Sequence, residues 1–183
     1  MRILPIRNEQ IKLAKKFTRV YIEKKYGKNV LGVSQDDFYS FIFYGKLGEL
    51  VFRDLLIEED IPHNCEDILK PYPGEFKREG ADFILTRTNE TIDVKTVEKP
   101  YKIRLLVRED QFRARVHDIY IGQRARNLKE IECWGYVTGK ELKNVKPMNF
   151  GYGLCRHWFL SQLHPIEEFI EKAKKGVKIS AFI

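Results

Sequence analysis

Two short runs rich in apolar and β-branched residues, Ala81–Thr86 and Thr91–Val97, are separated by only four polar residues, Arg87-Thr88-Asn89-Glu90. A parallel crossover needs about a dozen residues or more, so this spacing predicts an antiparallel hairpin. Side chains alternate faces along a strand. Asp93 and Lys95 therefore point the same way, with Cα atoms ~6.5–7 Å apart. Ile92 and Val94 point to the other side, toward a core. Asp82, on the first run, can lie across the hairpin on the face shared with Asp93. Two carboxylates brought together repel, and one pKa rises unless a cation sits between them. Oxygen ligands with open water positions suit Mg²⁺ or Mn²⁺. The same residues also make an ordinary ion pair on the wet face of a hairpin.

The rest of the chain reads as helix, then sheet, then helix. Ile11, Ala14, Phe17, Val20 and Tyr21 recur at helical spacing and predict a helix from Asn8 to about Tyr26, with Gly27 ending it. Ser34 is a plausible N-cap with Asp37 at the third helical position, opening a helix that runs to about Glu58. Pro62, Pro71, Pro73 and Gly74 mark an irregular connection. Beyond the hairpin, Lys102–Val107, His117–Ile121 and Glu132–Val137 are strand candidates, and Glu109–Arg115 is a short helix or loop. Pro165 stands where a first helical residue would, and Gly176 where a helix stops. The expectation is one α/β (α+β) domain over residues 1–183, a central mixed sheet flanked by helices. Its parts are N-terminal helices over 8–58, a sheet core over 80–137 and a C-terminal helical region over 155–176.

The second helix carries a residue out of place. At about 100° per residue, Glu49 falls about 20° from Phe38, inside a stripe shared with Ile42, Phe52 and Leu56. A carboxylate there costs several kcal/mol unless it is paired or metal-bound. Arg53, one turn on, offers a salt bridge as the plain alternative. Gly45 and Gly48 flank Glu49 and suggest close backbone approach.

Taken together, Gly45-Lys46-Leu47-Gly48-Glu49, Gly80-Ala81-Asp82-Phe83-Ile84-Leu85 and Ile92-Asp93-Val94-Lys95-Thr96 resemble the PD-(D/E)XK nuclease superfamily. Its pattern is a helix bearing a Glu, then a hairpin with one acid on the first strand and (D/E)-x-K on the second. The resemblance covers roughly Ser34 to Val97, with Ala81 where the pattern's name has proline, and no subfamily is matched. It implies a restriction-endonuclease-like core and Mg²⁺- or Mn²⁺-dependent phosphodiester hydrolysis. Asp82 and Asp93 would hold the metal, helped by the Val94 carbonyl. Glu49 would bind a second metal or a water on the first. Lys95 would orient or deprotonate the attacking water, or stabilise transition-state charge.

Charge points the same way. The formal net charge is +7 and the sequence pI about 9.2, a balance that favours polyanionic partners. Between Lys99 and Lys129 nine Lys or Arg face three acids. Arg104, Arg108, Arg113, Arg115, Arg124 and Arg126 are candidate phosphate contacts, and Gln111 stands where some members of the superfamily carry a glutamine, or is a surface residue. Tyr101, Phe112 and Tyr120 are candidates to stack on bases, or core residues. Trp134, Trp158 and Phe159 are read as core.

Other classes are excluded or weak. Hydrophobic residues at 43% and charged ones at 32% exclude wholesale disorder. Cys65, Cys133 and Cys155 are too few and too scattered for a disulfide scaffold. Cys155, His157 and His164 match no usual zinc spacing. The apolar run at Met1–Ile6 is too short for a signal peptide, and no run of about 18 apolar residues predicts a membrane span, so a cytoplasmic protein is expected. The leading expectation is a DNA endonuclease of restriction, repair, recombination or defence. The alternatives are a non-catalytic nucleic-acid-binding protein with a nuclease-like fold, or an interaction protein whose D-x-K is only a surface ion pair. A homodimer would suit cutting of both strands, although no heptad or other dimer signal is present.

Overall fold

The computed structural model describes residues 1–26, 35–65, 68–69, 80–98, 103–151 and 153–181. Gly27, Ser34, Pro71, Pro73, Gly74, Lys99, Tyr101 and Lys102, named above, lie outside the described residues.

A first strand, β1 (Arg2–Pro5), precedes the first helix, α1 (Asn8–Tyr26). Ala14 and Phe17 are buried as the periodicity requires, and Gln10 and Thr18 join them. The Gln10 amide is bonded to the Asp54 carboxylate at 2.5 Å on the next helix, α2 (Gln35–Glu58), and α1 and α2 pack together. A two-residue strand, β2 (His63–Asn64), pairs with β3 (Phe83–Leu85), and β3 pairs antiparallel with β4 (Thr91–Val97) through Phe83 opposite Ile92. The expected hairpin is thus present, with a shorter first strand. Glu90, read as part of a polar turn, is buried and accepts bonds from the backbone of Ile179 and Ser180.

After β5 (Arg104–Arg108) and the short helix α3 (Glu109–Ala114), β6 (Ile119–Ala125) runs parallel to β4. Asp118, just before β6, accepts bonds from both the amide and the hydroxyl of Thr91, which fixes the start of β4. β7 (Glu130–Thr138) returns antiparallel to β6. Thr138 and Glu141 then form a reciprocal cap on α4 (Gly139–Lys143). The last elements are β8 (Met148–Asn149), β9 (Leu154–Phe159), a single 3-10 turn, β10 (His164–Pro165) and α5 (Ile166–Lys175).

Two sheets result. The larger is mixed, in the order β1-β7-β6-β4-β3-β2, with β10 also pairing with β7. Helices flank it. The smaller is β5-β9-β8. Alternation along β6 divides the interior: Ile119 and Ile121 face a core shared with α1, α2 and α5, while Tyr120 faces a second core with Leu105, Val107, Phe112 and Val137. The smaller sheet covers that second core, and Trp134 and Trp158 pack half-buried against it.

One expectation is corrected here. The region 155–176 is not helical throughout: Leu154–Phe159 is a strand paired with Arg104–Arg108. Its helix begins only at Ile166, and Pro165 still pairs in the sheet with Gly135. Gly176 does end that helix, at φ +66°, as expected of a left-handed cap. Among the described residues, no helix is long and apolar enough to cross a membrane.

Candidate active site

The site is built on β4. Ile92 and Val94 are buried in the helical-side core, which leaves Asp93 and Lys95 on the opposite face. Lys95 Nζ lies 2.8 Å from Asp93 Oδ2. On the other strand, the Asp82 amide donates to the Ile92 carbonyl at 3.0 Å. One step along the Phe83–Ile92 register, Asp82 falls opposite Asp93. Its Oδ2 accepts from the Val94 amide at 2.7 Å.

Helix α2 brings the third acid. Gly48 presses so closely on β4 and β6 that a Cβ there would stand 1.9 Å from Thr96 Oγ1 and 2.6 Å from Gln123 Oε1. This contact between helix backbone and sheet sets Glu49 beside the hairpin acids. Gly45 has no such role: a Cβ there meets nothing within 4 Å, so the expected close approach holds for Gly48 alone. Glu49 is paired, but not with Arg53. Its carboxylate binds the buried Lys46 amine, three residues earlier, and Lys46 Nζ also lies 4.3 Å from the centre of the Phe17 ring. Arg53 turns instead to Asp54 at 3.2 Å.

Burial pushes the Asp82 carboxyl well above the usual carboxylate range, and the Glu49 and Asp93 charges push it further; Lys95 and the Val94 amide oppose. Burial also raises Glu49; Lys46 opposes, and Asp93 adds repulsion. The four expected site residues, Glu49, Asp82, Asp93 and Lys95, thus lie close enough to act on one another's charge.

Asp82, Asp93, Glu49 and the Val94 carbonyl supply oxygen donors of the kind hard divalent cations take. Among the described residues Asp82 has no ammonium or guanidinium at ion-pair distance, and burial, followed by the Glu49 and Asp93 charges, holds its carboxyl well above the usual range. A cation between the acids would relieve this repulsion, so the donor set fits Mg²⁺ or Mn²⁺. In the conformation at hand two acids are turned to amines, Asp93 to Lys95 and Glu49 to Lys46. Among the described residues no three His, Cys, Asp or Glu side chains form a ready-made cage.

Three further residues surround the site without having stood out in the sequence. Lys46 is one. Gln123, fully buried on β6, accepts from Thr96 Oγ1 at 3.2 Å and lies at the Gly48 contact. His117 is buried against Tyr120 and feels the Asp93 and Lys95 charges; burial lowers its pKa. A usable signal existed for Lys46, which lies one helical turn before Glu49. Gln123 is a polar residue within the apolar run Ile119–Ala125.

The basic segment is less open than its composition suggests. Arg108 pairs with Asp110, Arg113 with Glu109, Arg124 with Glu132 and Arg126 with Glu130 and Glu132. Arg124 also lies over the Trp134 ring. Arg115 and Gln111 are exposed on and just after α3. Arg104 stacks on Phe159 and Phe150. Phe112 and Tyr120 are buried in the second core, so neither is placed to stack on a base. The three cysteines are free thiols, and His164 bonds Glu141 rather than joining Cys155 and His157.

No family model matches this chain, and neither a curated protein nor a solved structure matches it significantly.

Proposed function

We propose that the chain is a metal-dependent nuclease, most simply a DNA endonuclease, that hydrolyses phosphodiester bonds at the Glu49–Asp82–Asp93–Lys95 cluster. The observation that carries this reading is the convergence of three carboxylates and one amine from three separate elements at one end of a β-hairpin. A glutamate-bearing helix, an antiparallel hairpin and a parallel strand reached through α3 support a restriction-endonuclease-like core.

Asp82, Asp93 and the Val94 carbonyl would hold Mg²⁺ or Mn²⁺, with Glu49 beside them. A divalent cation there polarises a phosphoryl oxygen and lowers the pKa of water. The chain's own groups do the rest. Asp82, fixed by the Val94 amide, keeps its oxygens at the strand edge. Asp93 holds the Lys95 amine on its own face of β4, where it orients the attacking water and stabilises charge growing on the phosphoryl oxygens. Water oxygen bonds to phosphorus, the P–O ester bond breaks, and the leaving oxygen takes a proton. Gly48 and the Thr96–Gln123 pair hold the helix that carries Glu49 at its distance from the hairpin.

A cytoplasmic protein acting on nucleic acid fits the net charge of +7. Two copies would serve where both strands are cut. The test is cleavage of plasmid and branched DNA with Mg²⁺ by the native chain, Asp93→Ala and Lys95→Ala. Activity in the native chain and its loss in both variants supports the reading; equal behaviour of all three rejects it.

One observation favours a second reading. Lys46 and Lys95 already neutralise Glu49 and Asp93, as suits a nucleic-acid binder that keeps the fold without cutting. Salt-sensitive binding with no metal-dependent cleavage would identify it.

A further inference from the structure

The smaller sheet has one face in the second core and one turned away from it. Leu105 and Val107 of β5 and Trp158 of β9 point inward. On the outward face Arg104 lies opposite Phe159, and Leu106 opposite His157. The Arg104 guanidinium carbon stands 4.4 Å from the Phe159 ring centre and 5.5 Å from that of Phe150. His157 meets both rings edge-on, at 5.2 and 6.4 Å. All four side chains are half-buried.

Two features separate this group from an ordinary surface. First, among the described residues no carboxylate pairs with Arg104, whereas Arg108, Arg113, Arg124, Arg126 and Arg156 are each held by an acid. Second, Arg104 Nε and His157 Nδ1 are both buried and have no hydrogen-bond partner among the described residues. Such groups are costly unless something completes them. Burial and the Arg104 charge lower the His157 pKa, so the imidazole is neutral at pH 7 and offers one donor and one acceptor.

We infer that this outward face is a binding platform for a single nucleotide strand, with Arg104 taking a phosphate and the Phe150, His157 and Phe159 rings taking unpaired bases. Charge complementarity selects a polyanion, and the aromatic faces select one with exposed bases, since rings stack on bases only where these are not paired within a duplex. The guanidinium, which lies over the Phe159 ring and also contacts Phe150, carries the N–H donors that phosphate accepts. The platform also has a place relative to the chemistry. Leu105 of the same sheet lies within 3.4 Å of where a Gly122 Cβ would stand, and Gly122 is the register partner of Lys95. Alternation puts Asp93, Lys95, Tyr120 and Gly122 on the face of the large sheet that the small sheet covers. The platform and the Asp93–Lys95 face thus lie on the same side of the large sheet, with the small sheet between them. This deepens the proposed function and rests on its nucleic-acid substrate.

The test is fluorescence anisotropy in EDTA, so that binding is read without cutting. The probes are a labelled mixed-sequence single strand, as DNA and as RNA, and a blunt duplex. Arg104→Ala is expected to weaken single-strand binding about tenfold or more, and Phe150→Leu several-fold, with a smaller change for duplex in both. Phe150→Leu keeps the proposal testable if Arg104→Ala fails to fold, because it alters a half-exposed ring. The DNA and RNA arms tell which sugar is preferred. Single-strand affinity unchanged in the variants, or a native chain that binds neither strand, overturns the platform. A native chain that binds through these residues yet cuts nothing with Mg²⁺ supports the platform and overturns the nuclease reading alone.

Discussion

Gly48 of α2 and Thr96 of β4 approach so closely that a methyl group on the glycine would fall 1.9 Å from the threonine hydroxyl. The helix that carries Glu49 can lie this near the D-x-K strand only because residue 48 has no side chain. Gly48→Ala forces helix and sheet apart and should cost about 1–3 kcal/mol through overpacking. Gly45→Ala in the same helix meets no neighbour and should raise stability by up to about 1 kcal/mol. Chemical denaturation of the two variants checks the contrast. Opposite signs are expected, together with lower Mg²⁺-dependent cleavage for Gly48→Ala.

The acids strain one another, and this gives a pH signature. Burial, then Glu49 and Asp93, raise the Asp82 carboxyl above its ordinary range. Its proton is therefore held more tightly in the folded than in the unfolded chain. The resulting stability is full below the unfolded pKa of about 3.9 and is lost as pH rises through the raised native value. Asp82→Asn keeps an acceptor for the Val94 amide and removes the charge. Without metal it should melt higher than the native chain at pH 7, and the gain should vanish near pH 3. A thermal melt series across pH reads this, and a variant less stable than the native chain at pH 7 would contradict it.

A divalent cation should reverse that order. At about 100 times its Kd, a cation bound only to the folded chain adds about 2.7 kcal/mol. Mn²⁺ or Mg²⁺ should thus raise the native melting temperature and leave Asp82→Asn and Asp93→Ala nearly unmoved, with EDTA cancelling the gain. Calorimetry with and without the ion measures it.

Lys46 and Glu49 form a buried pair, and removing one partner strands the other. Lys46→Met should cost on the order of 3–5 kcal/mol, and adding Glu49→Leu should recover most of it. Denaturant midpoints for the single and double variants close the cycle. If the double variant is no more stable than Lys46→Met, the pair is not what burial of Glu49 depends on.

How much of this was legible in the sequence follows from the range of the interactions. The strand Thr91–Val97 could be read to the residue, because β-branching and alternation are local and Ile92 and Val94 have one buried side. The placement of Glu49 among apolar residues was equally local. The sequence offers Arg53 as an alternative partner and does not single out Lys46, because the two lie at similar angular distance on the helix; the Phe17 ring on a different helix favours Lys46. Strand Leu154–Phe159 could not be read, since what makes it a strand is pairing with Arg104–Arg108, about fifty residues earlier in the chain. The basic stretch misled in a different way: composition counts charges, whereas Arg108, Arg113, Arg124 and Arg126 each face an acid. Gln123 became visible only when Gly48 was seen against it.

The most direct measurement is anomalous diffraction from crystals soaked in Mn²⁺. The account predicts a peak between the Asp82 and Asp93 carboxylates, with ligand oxygens at about 2.1 Å and the Lys95 amine swung away from Asp93. Mn²⁺ bound elsewhere on the molecule, with the Lys95–Asp93 pair still closed, would contradict it.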